Sequence, residues 1–147
     1  MPAVFEKMGI RFLYPDNWTL DEDEALHGNS SVTVQSPGGA FWSVVLHPPT
    51  TDPAKLAATA LAALKEEYVD SEAEPVHEQF GEHTLNGYDM TFFYLDLTST
   101  ATIRCFRTAD ATCLILCQAE DREYVALSQV FRAITTSFLA EGDARQV

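Results

Sequence analysis

Basic residues are scarce in this sequence. Only 9 of its 147 residues are lysine or arginine, against 22 aspartates and glutamates, which leaves a formal net charge of −13. Such a chain repels phosphate groups and lacks the basic patch that nucleic-acid binding requires. Anionic membrane surfaces are disfavoured for the same reason. We therefore expect neither nucleic acid nor membrane as a partner, and a basic protein or a cation is electrostatically easier to bind.

Long apolar runs and a secretion signal are also absent. No segment approaches the ~20 apolar residues needed to cross a bilayer. Residues 1–7 lack a basic segment followed by an apolar run, which a signal peptide would have. The cysteines are three in number and include no CxxC pair. An odd number of cysteines without a secretion signal indicates reduced thiols, so we expect a cytoplasmic protein.

Signatures of catalysis and of cofactor binding are missing as well. The sequence contains no GxSxG turn and neither of the phosphate-binding patterns GxGxxG and GxxxxGK[ST]. Carboxylates are so abundant that a pair of them is no evidence for or against a catalytic site. We therefore expect no catalytic residue, no metal and no cofactor, and a protein that is not an enzyme.

Cysteines form one cluster that we weigh as a site. Cys113 and Cys117 are four residues apart on a predicted strand and would share a face, and a hairpin would bring Cys105 near Ile115 on that face too. Three thiols could bind a soft metal or form a redox pair. Because cysteine is also a small apolar residue that is often buried, packing is the favoured interpretation.

Histidines and carboxylates form a second cluster, His77, Glu78, Glu82 and His83. Two imidazoles and two carboxylates are a ligand set for a divalent metal. On a straight strand His77 and Glu78 face opposite sides, so only a bend at Gly81 would let the group converge. A metal-dependent enzyme at this place is the least favoured hypothesis.

The order of elements predicts an α+β fold. Asp52 and Pro53 suit a helix start, and a helical stripe follows, composed of Leu56, Ala60, Leu61, Leu64 and Tyr68. Pro75 prevents this helix from continuing, and the polar stretch 70–75 is predicted to be the segment in which the chain leaves the helix, the helix exit. A second helix is predicted for 121–138, with an apolar stripe of Tyr124, Leu127, Phe131, Ile134 and Phe138.

The rest of the chain reads mainly as strands. They are predicted at 4–7, 10–14, 31–36, 41–47, 76–82, 88–97, 100–108 and 112–118. Asn86-Gly87 is the predicted tight turn of the third hairpin. In the strand 88–97 both the even-numbered and the odd-numbered residues are largely apolar, which indicates that other elements cover both of its faces. We expect one domain over 1–139, an antiparallel sheet flanked by helices in an α/β/α sandwich, and a polar tail over 140–147.

The sharpest charge feature is the run Asp21-Glu22-Asp23-Glu24, which follows Trp18 and is predicted to lie in an exposed loop. Four adjacent carboxylates could dock a basic partner, and Trp18 could anchor it. The alternatives are a solvated loop and a tryptophan in the core. These five residues are the candidate partner-binding site.

Three segments carry a resemblance to a known family. They are the entry FLYPDNW at 12–18, Gly87-Tyr88 at the opening of a strand, and the helix end FRAITTSF at 131–138. This combination is similar to the PsbP-like family, which includes the photosystem extrinsic protein, the Ran-binding nuclear-transport factor Mog and bacterial DcrB-like domains. Some DcrB-like members are chaperones for secreted effectors. The resemblance covers residues 4–138 and implies an antiparallel sheet sandwiched by helices, with no single activity and no shared catalytic residue.

Together these features favour a non-enzymatic module that binds a protein partner, in an assembly or chaperone-like role. The alternative is a domain that binds a small ligand in a groove between the sheet and a helix, since two helices need not cover the whole sheet.

Overall fold

The computed structural model describes residues 2–24 and 30–146, with the side chains of all of these except 23, 24 and 141–146. In these residues it has nine strands and two helices. The strands are β1 Pro2–Lys7, β2 Ile10–Pro15, β3 Thr19–Glu24, β4 Ser30–Gln35, β5 Phe41–His47, β6 Ser71–Phe80, β7 His83–Tyr94, β8 Leu97–Arg107 and β9 Thr112–Glu120. The helices are α1 Pro53–Glu67 and α2 Asp121–Gln146.

Seven strands form one antiparallel sheet in the order β3-β4-β5-β9-β8-β7-β6, and β1 and β2 pair separately. α1 packs on β7, β8 and β9, whereas α2 packs on β8 and β9 and on the separate strand β2. The two helices lie on opposite faces, because the core residues of the α1 side and of the α2 side alternate along β8 and β9. The predicted α+β class with an antiparallel sheet between helices is confirmed.

The larger core lies between the sheet, α2 and the β1–β2 hairpin. Phe12 is fully buried there against Trp42, with ring centroids 4.8 Å apart. The Trp42 Nε1–H donates to Thr135 Oγ1 of α2 at 3.0 Å, which satisfies a buried polar group. The apolar stripes predicted for both helices face the sheet, where they pack against buried residues of the two sides.

Several predicted boundaries are wrong. The acidic run belongs to an edge strand, β3, and not to a loop. The stretch 70–75 is not a helix exit, because α1 ends at Glu67 and β6 begins at Ser71. Pro75 is tolerated inside β6 because that strand is the other edge of the sheet, where a missing N–H costs no ladder bond. α2 continues to Gln146, so the backbone of the predicted tail is largely helical.

The turns also differ from the prediction. Asn86 and Gly87 lie inside β7, and the β6–β7 turn is formed by Gly81 and Glu82, with Gly81 at φ +59°. Gly87 is needed for a close approach of two strands, because a Cβ there would collide with the Ile103 carbonyl oxygen of β8. The Asn86-Gly87 dipeptide therefore marks a close contact between two strands and not a turn.

A second turn falls where the sequence predicted a continuous strand. Tyr94 pairs with Leu97, so the two-residue turn Leu95-Asp96 joins β7 to β8. Both turn residues have positive φ, 51° and 64°. This is the pattern of a type I′ hairpin turn, which usually contains Asn and Gly. Because neither of those residues is present, nothing in the local sequence indicated the turn.

Candidate functional site

Exposed apolar side chains are concentrated at one end of the sheet. Five of the seven exposed large hydrophobic residues in the described part of the chain lie there: Val69 (86% exposed), Phe93 (52%), Tyr94 (55%), Leu95 (77%) and Leu97 (44%). We call these five residues the hairpin end. The remaining two, Val4 and Val125, lie on β1 and α2. An exposed apolar cluster of this kind is typical of an interaction surface, whereas single exposed residues need no explanation.

The hairpin end is held in place by its neighbours. The Phe93 N–H donates to the Asp70 carbonyl oxygen at 3.0 Å, which places Val69 beside the end of β7. Tyr94 packs edge-on against Tyr68, with ring centroids 5.6 Å apart, and Tyr68 in turn stacks on the buried Phe92 at 4.0 Å. The exposed residues therefore project from a fixed base. The cover on both sides that was predicted for 88–97 is wrong, because Met90 and Phe92 are buried on the α1 face, whereas Thr91 and Phe93 on the other face are exposed.

Carboxylates surround the hairpin end. Asp96 lies in the turn itself, and the segment that leads from α1 into β6 contributes four more exposed acidic residues: Glu66, Glu67, Asp70 and Glu72. Lys65 precedes them in the last turn of α1. The surface is thus an apolar protrusion in a strongly negative setting.

An apolar groove lies between β2 and α2. It encloses about 510 Å³ and is lined by Leu13, Tyr14, Val130, Ala133 and Ile134, together with the Ser137 hydroxyl. That hydroxyl is already engaged, since it accepts the Leu13 N–H at 3.0 Å and donates to the Ile134 carbonyl oxygen at 2.7 Å. The volume falls within the range of small-molecule sites.

A smaller and more polar cavity of about 220 Å³ lies between the sheet and α2, and Arg104 lines it. Its guanidinium donates to Glu78 and to Asp89, each at 2.8 Å, and to the carbonyl oxygens of Tyr88 and Ile103. All three of its nitrogens are therefore engaged within the protein. With four of its five N–H donors engaged in this way, the arginine braces the sheet.

Glu78 links this arginine to α2, because its other oxygen accepts from Arg132 at 2.9 Å. Burial disfavours the charge on Glu78, but the hydrogen bonds and charges of Arg104 and Arg132 outweigh burial and lower the pKa of its carboxyl. Burial likewise disfavours the charge on Arg104, and its bonds to Glu78 and Asp89 raise its pKa overall. The group is a partly buried ion-pair network, centred on the largely buried Arg104, that ties helix to sheet.

The predicted partner-binding residues do not form a single patch. Trp18 is buried in the core, where its ring lies edge-on to Phe131 at 6.0 Å, so it exposes too little surface to anchor a partner. Asp21 pairs with Thr33 and Glu22 with Val32, so the two carboxylates lie on opposite faces of the strand. Glu22 is also in an ion pair with Lys7 at 3.0 Å. The side chains of Asp23 and Glu24 lie outside the described residues.

The histidine cluster is not brought together. The His77 ring nitrogen Nδ1 lies 2.7 Å from the Asn86 amide oxygen, whereas His83 faces the Phe106 ring. Glu78 is bound by two arginines, as described above. Within the residues that the structure describes, no three His, Cys, Asp or Glu side chains are grouped to hold a metal. The geometry contradicts the hypothesis of a metal site at this hairpin.

The three cysteines are buried thiols outside any disulfide, but they do not share one face. Cys105 pairs with Leu114 and packs on the α1 side, whereas Cys113 and Cys117 pack on the α2 side. The predicted register was off by one residue, and a shift of one residue moves a side chain to the other face. Burial raises the pKa of Cys105 and of Cys117 to about 12.

These observations define an α+β domain with an antiparallel sheet between two helices, which is the PsbP-like fold of the structures below. The solution structure of cyanobacterial PsbP (CyanoP) from Synechocystis sp. PCC 6803 is similar, with a TM-score of 0.60 and 15% identity over 92% of this chain and 90% of that one. PA94 from Pseudomonas aeruginosa, a protein of unknown function, has a TM-score of 0.55 and 9% identity over 92% and 94%. At such identities the likeness shows the fold alone.

LpqN of Mycobacterium tuberculosis, described as involved in cell envelope biogenesis, has a TM-score of 0.49 and 16% identity over 91% of this chain and 80% of that one. No family model matches the sequence, and no curated protein matches it either. Neither α1 nor α2, in the part of the chain that the structure describes, is long and apolar enough to cross a membrane.

Proposed function

We propose that this chain is a non-enzymatic module that binds a protein partner, in an assembly or chaperone-like role, and that the hairpin end is its contact. The observation that carries the proposal is the exposure of Phe93, Tyr94, Leu95 and Leu97 on an otherwise acidic surface. Aromatic residues on a rigid base are frequent anchors of protein interfaces, and an exposed apolar cluster around them is typical of such a surface. A location in the cytoplasm and kinship with the Mog-type and DcrB-like members of the PsbP-like group are parts of the same proposal.

The backbone conformation of this turn has an energetic cost that a purely structural role does not explain. Leu95 and Asp96 both adopt positive φ. Aspartate tolerates this conformation, as glycine and asparagine do, but for Leu95 it is unfavourable. A leucine at this position places a large apolar side chain at the apex of the turn, where it is 77% exposed. A partner that covers this side chain supplies the missing reason for it.

The test is native mass spectrometry of tagged protein that is purified gently from its own cells. We expect a stoichiometric protein mass to accompany the wild type and to be lost in a Phe93→Ser, Leu95→Ser double variant. Val4→Ser is the matched control, because Val4 is 50% exposed and lies on β1, outside the hairpin end. An added protein mass that persists in the double variant would show that the contact lies elsewhere.

Asp21 and Glu22 belong to the proposal as an electrostatic contribution. Both are exposed on the edge strand β3, where acidic residues also discourage pairing between sheet edges. Binding that weakens with added salt, and weakens further in an Asp21→Lys, Glu22→Lys variant, would support their role in steering the partner. Unchanged binding in that variant would remove them from the contact.

A small-ligand-binding domain is the second candidate, and the apolar groove between β2 and α2 favours it. The lining predicts a ligand that is mostly apolar, since the Ser137 hydroxyl is already engaged. Such a ligand would add a small mass in the same native spectra, and Ala133→Leu, which extends into the groove, would remove it. A spectrum that contains only the bare chain, with and without this substitution, would count against the groove.

A further inference from the structure

The hairpin end combines a convex apolar apex with an acidic border, and these two properties restrict what can cover it. We infer that its occupant is a concave apolar socket on a partner protein, with lysine or arginine residues at the rim of the socket. This inference rests on the proposed function and specifies the chemistry of the partner.

The shape of the hairpin end calls for a concave partner. Leu95 is at the apex of a two-residue turn, and Phe93 and Tyr94 project to the two sides of the hairpin because successive strand residues alternate between faces. Side chains that diverge in this way from a narrow hairpin cannot all touch a flat surface. A socket can enclose them, and its burial of Phe93, Tyr94 and Leu95 would provide the apolar part of the affinity.

The charge of the border calls for a basic rim. Asp96 lies within the turn, and Asp70 is joined to β7 through the hydrogen bond from Phe93. Glu66, Glu67 and Glu72 are exposed in the adjacent segment, against the single basic residue Lys65. A second copy of this chain would bring another charge of −13 to the contact. A partner with a basic rim gains attraction at the same place, and like charges are costly there.

A lipid surface is the less favoured occupant. An apolar hairpin apex could enter the interfacial region of a bilayer, but the carboxylates beside it would be repelled by anionic headgroups. The same carboxylates attract a protein rim of lysine and arginine. Lipid vesicles are therefore included in the test as the alternative occupant.

The test uses sockets of defined chemistry. β-Cyclodextrin has an apolar cavity that accepts aromatic and aliphatic side chains, and its rim can carry amino, neutral or carboxymethyl groups. Protein labelled with nitrogen-15 is titrated with each of the three forms, and the backbone amide shifts are mapped. Vesicles of phosphatidylcholine are a fourth probe.

We expect the amino form to shift the amides of 93–97 and to bind about tenfold more tightly than the carboxymethyl form, a difference that added salt reduces. An Asp70→Asn, Glu72→Gln variant should narrow the difference between the two forms. A Phe93→Ser, Leu95→Ser variant should abolish the shifts of all forms, and Val4→Ser should leave them unchanged.

Three results would overturn the inference. If the amino, neutral and carboxymethyl forms bound with equal affinity, the inferred basic rim of the partner would be wrong. If the amide shifts mapped to the groove between β2 and α2, the hairpin end would not be the binding surface. Vesicles could shift 93–97 while no cyclodextrin does, which would assign the surface to lipid. In the first case the native complex would still depend on Phe93 and Leu95, so the protein-binding proposal would stand without the inference.

Discussion

Arg104 of β8 connects several elements of the structure through its side chain. It contacts Glu78 of β6 and Asp89 of β7, and through Glu78 it is linked to Arg132 of α2. The guanidinium is largely buried, so its charge is tolerated only because carboxylates and carbonyl oxygens surround it. Removing one of those partners should leave a buried charge that is incompletely satisfied.

For Glu78→Gln we expect a loss of about 1–3 kcal/mol in the free energy of unfolding at neutral pH, measured by urea titration. The pKa of Glu78 is lower in the folded protein, so its contribution is complete above the ordinary value of 4.5 and is lost as the pH falls through the folded pKa. The difference between wild type and variant should therefore shrink in acid.

Glu74→Gln is the matched control for this experiment, since Glu74 is an exposed carboxylate on the same strand. It removes the same charge and should change the free energy of unfolding by less than about 0.5 kcal/mol. Equal effects of the two substitutions would contradict a specific role of Glu78 between the arginines.

The buried thiols give a second expectation at the residue scale. Because burial raises the pKa of Cys105 and of Cys117 to about 12, both stay protonated at mildly alkaline pH. In the native protein they should react with Ellman's reagent far more slowly than a cysteine introduced by Val125→Cys on the exposed face of α2. All 3 native thiols should react once the protein is unfolded in urea. Rapid labelling of the native wild type would contradict the packing role.

At the scale of elements, the β7–β8 hairpin combines strong pairing with an unfavourable turn. The pairing runs from Asn86 with Cys105 to Tyr94 with Leu97, which fixes the register of the hairpin. Within that register the turn residues must adopt positive φ, whatever their identity. The hairpin thus retains a turn sequence that is poor for stability, as expected where a side chain is kept for contact.

Replacing Leu95-Asp96 by Asn-Gly should therefore stabilise the fold by about 0.5–1 kcal/mol, because Asn-Gly suits a type I′ turn. The same variant should lose the partner, because the apex side chain is gone. Thermal unfolding and native mass spectrometry measure the two effects. Leu95→Ala separates them, since it should lose the partner without a gain in stability. A less stable Asn-Gly variant would show that the turn is not under strain.

At the scale of the whole molecule, two helices cover only parts of a seven-stranded sheet. α1 packs on β7, β8 and β9 on one face, and α2 packs on β8 and β9 on the other, together with the β1–β2 hairpin. Among the α2 residues whose side chains the structure describes, the last two that are buried are Phe138 and Leu139. The sequence predicted a domain boundary at 139, and this boundary stays a prediction that truncation can test.

A chain that ends after Leu139 should consequently unfold at the same urea concentration as the full chain, within about 0.5 kcal/mol in free energy. A chain that ends after Ser137 loses two buried apolar side chains and should be destabilised by at least about 3 kcal/mol. If the first truncation already costs more than about 1 kcal/mol, the domain extends into 140–147.

The sequence by itself determined the fold class, most strand positions and both helix stripes, because these depend on local periodicity and on residues such as Asp52 and Pro53 at a helix start. It could not place the acidic run in a strand, since β3 consists largely of residues with low strand propensity and exists through pairing with β4. It could not find the hairpin end, because Phe93 and Leu95 read as core.

Only the tertiary structure decided which apolar residues were covered. The register of β8 with β9 placed Cys105 opposite Leu114 and so on the other face from Cys113. Between β7 and β8, Gly87 permits a close approach that a side chain would block. The reach of α1 and α2 over the sheet then decided that Phe92 is buried and that Phe93 is not. Register and cover depend on contacts between distant segments, which no local pattern contains.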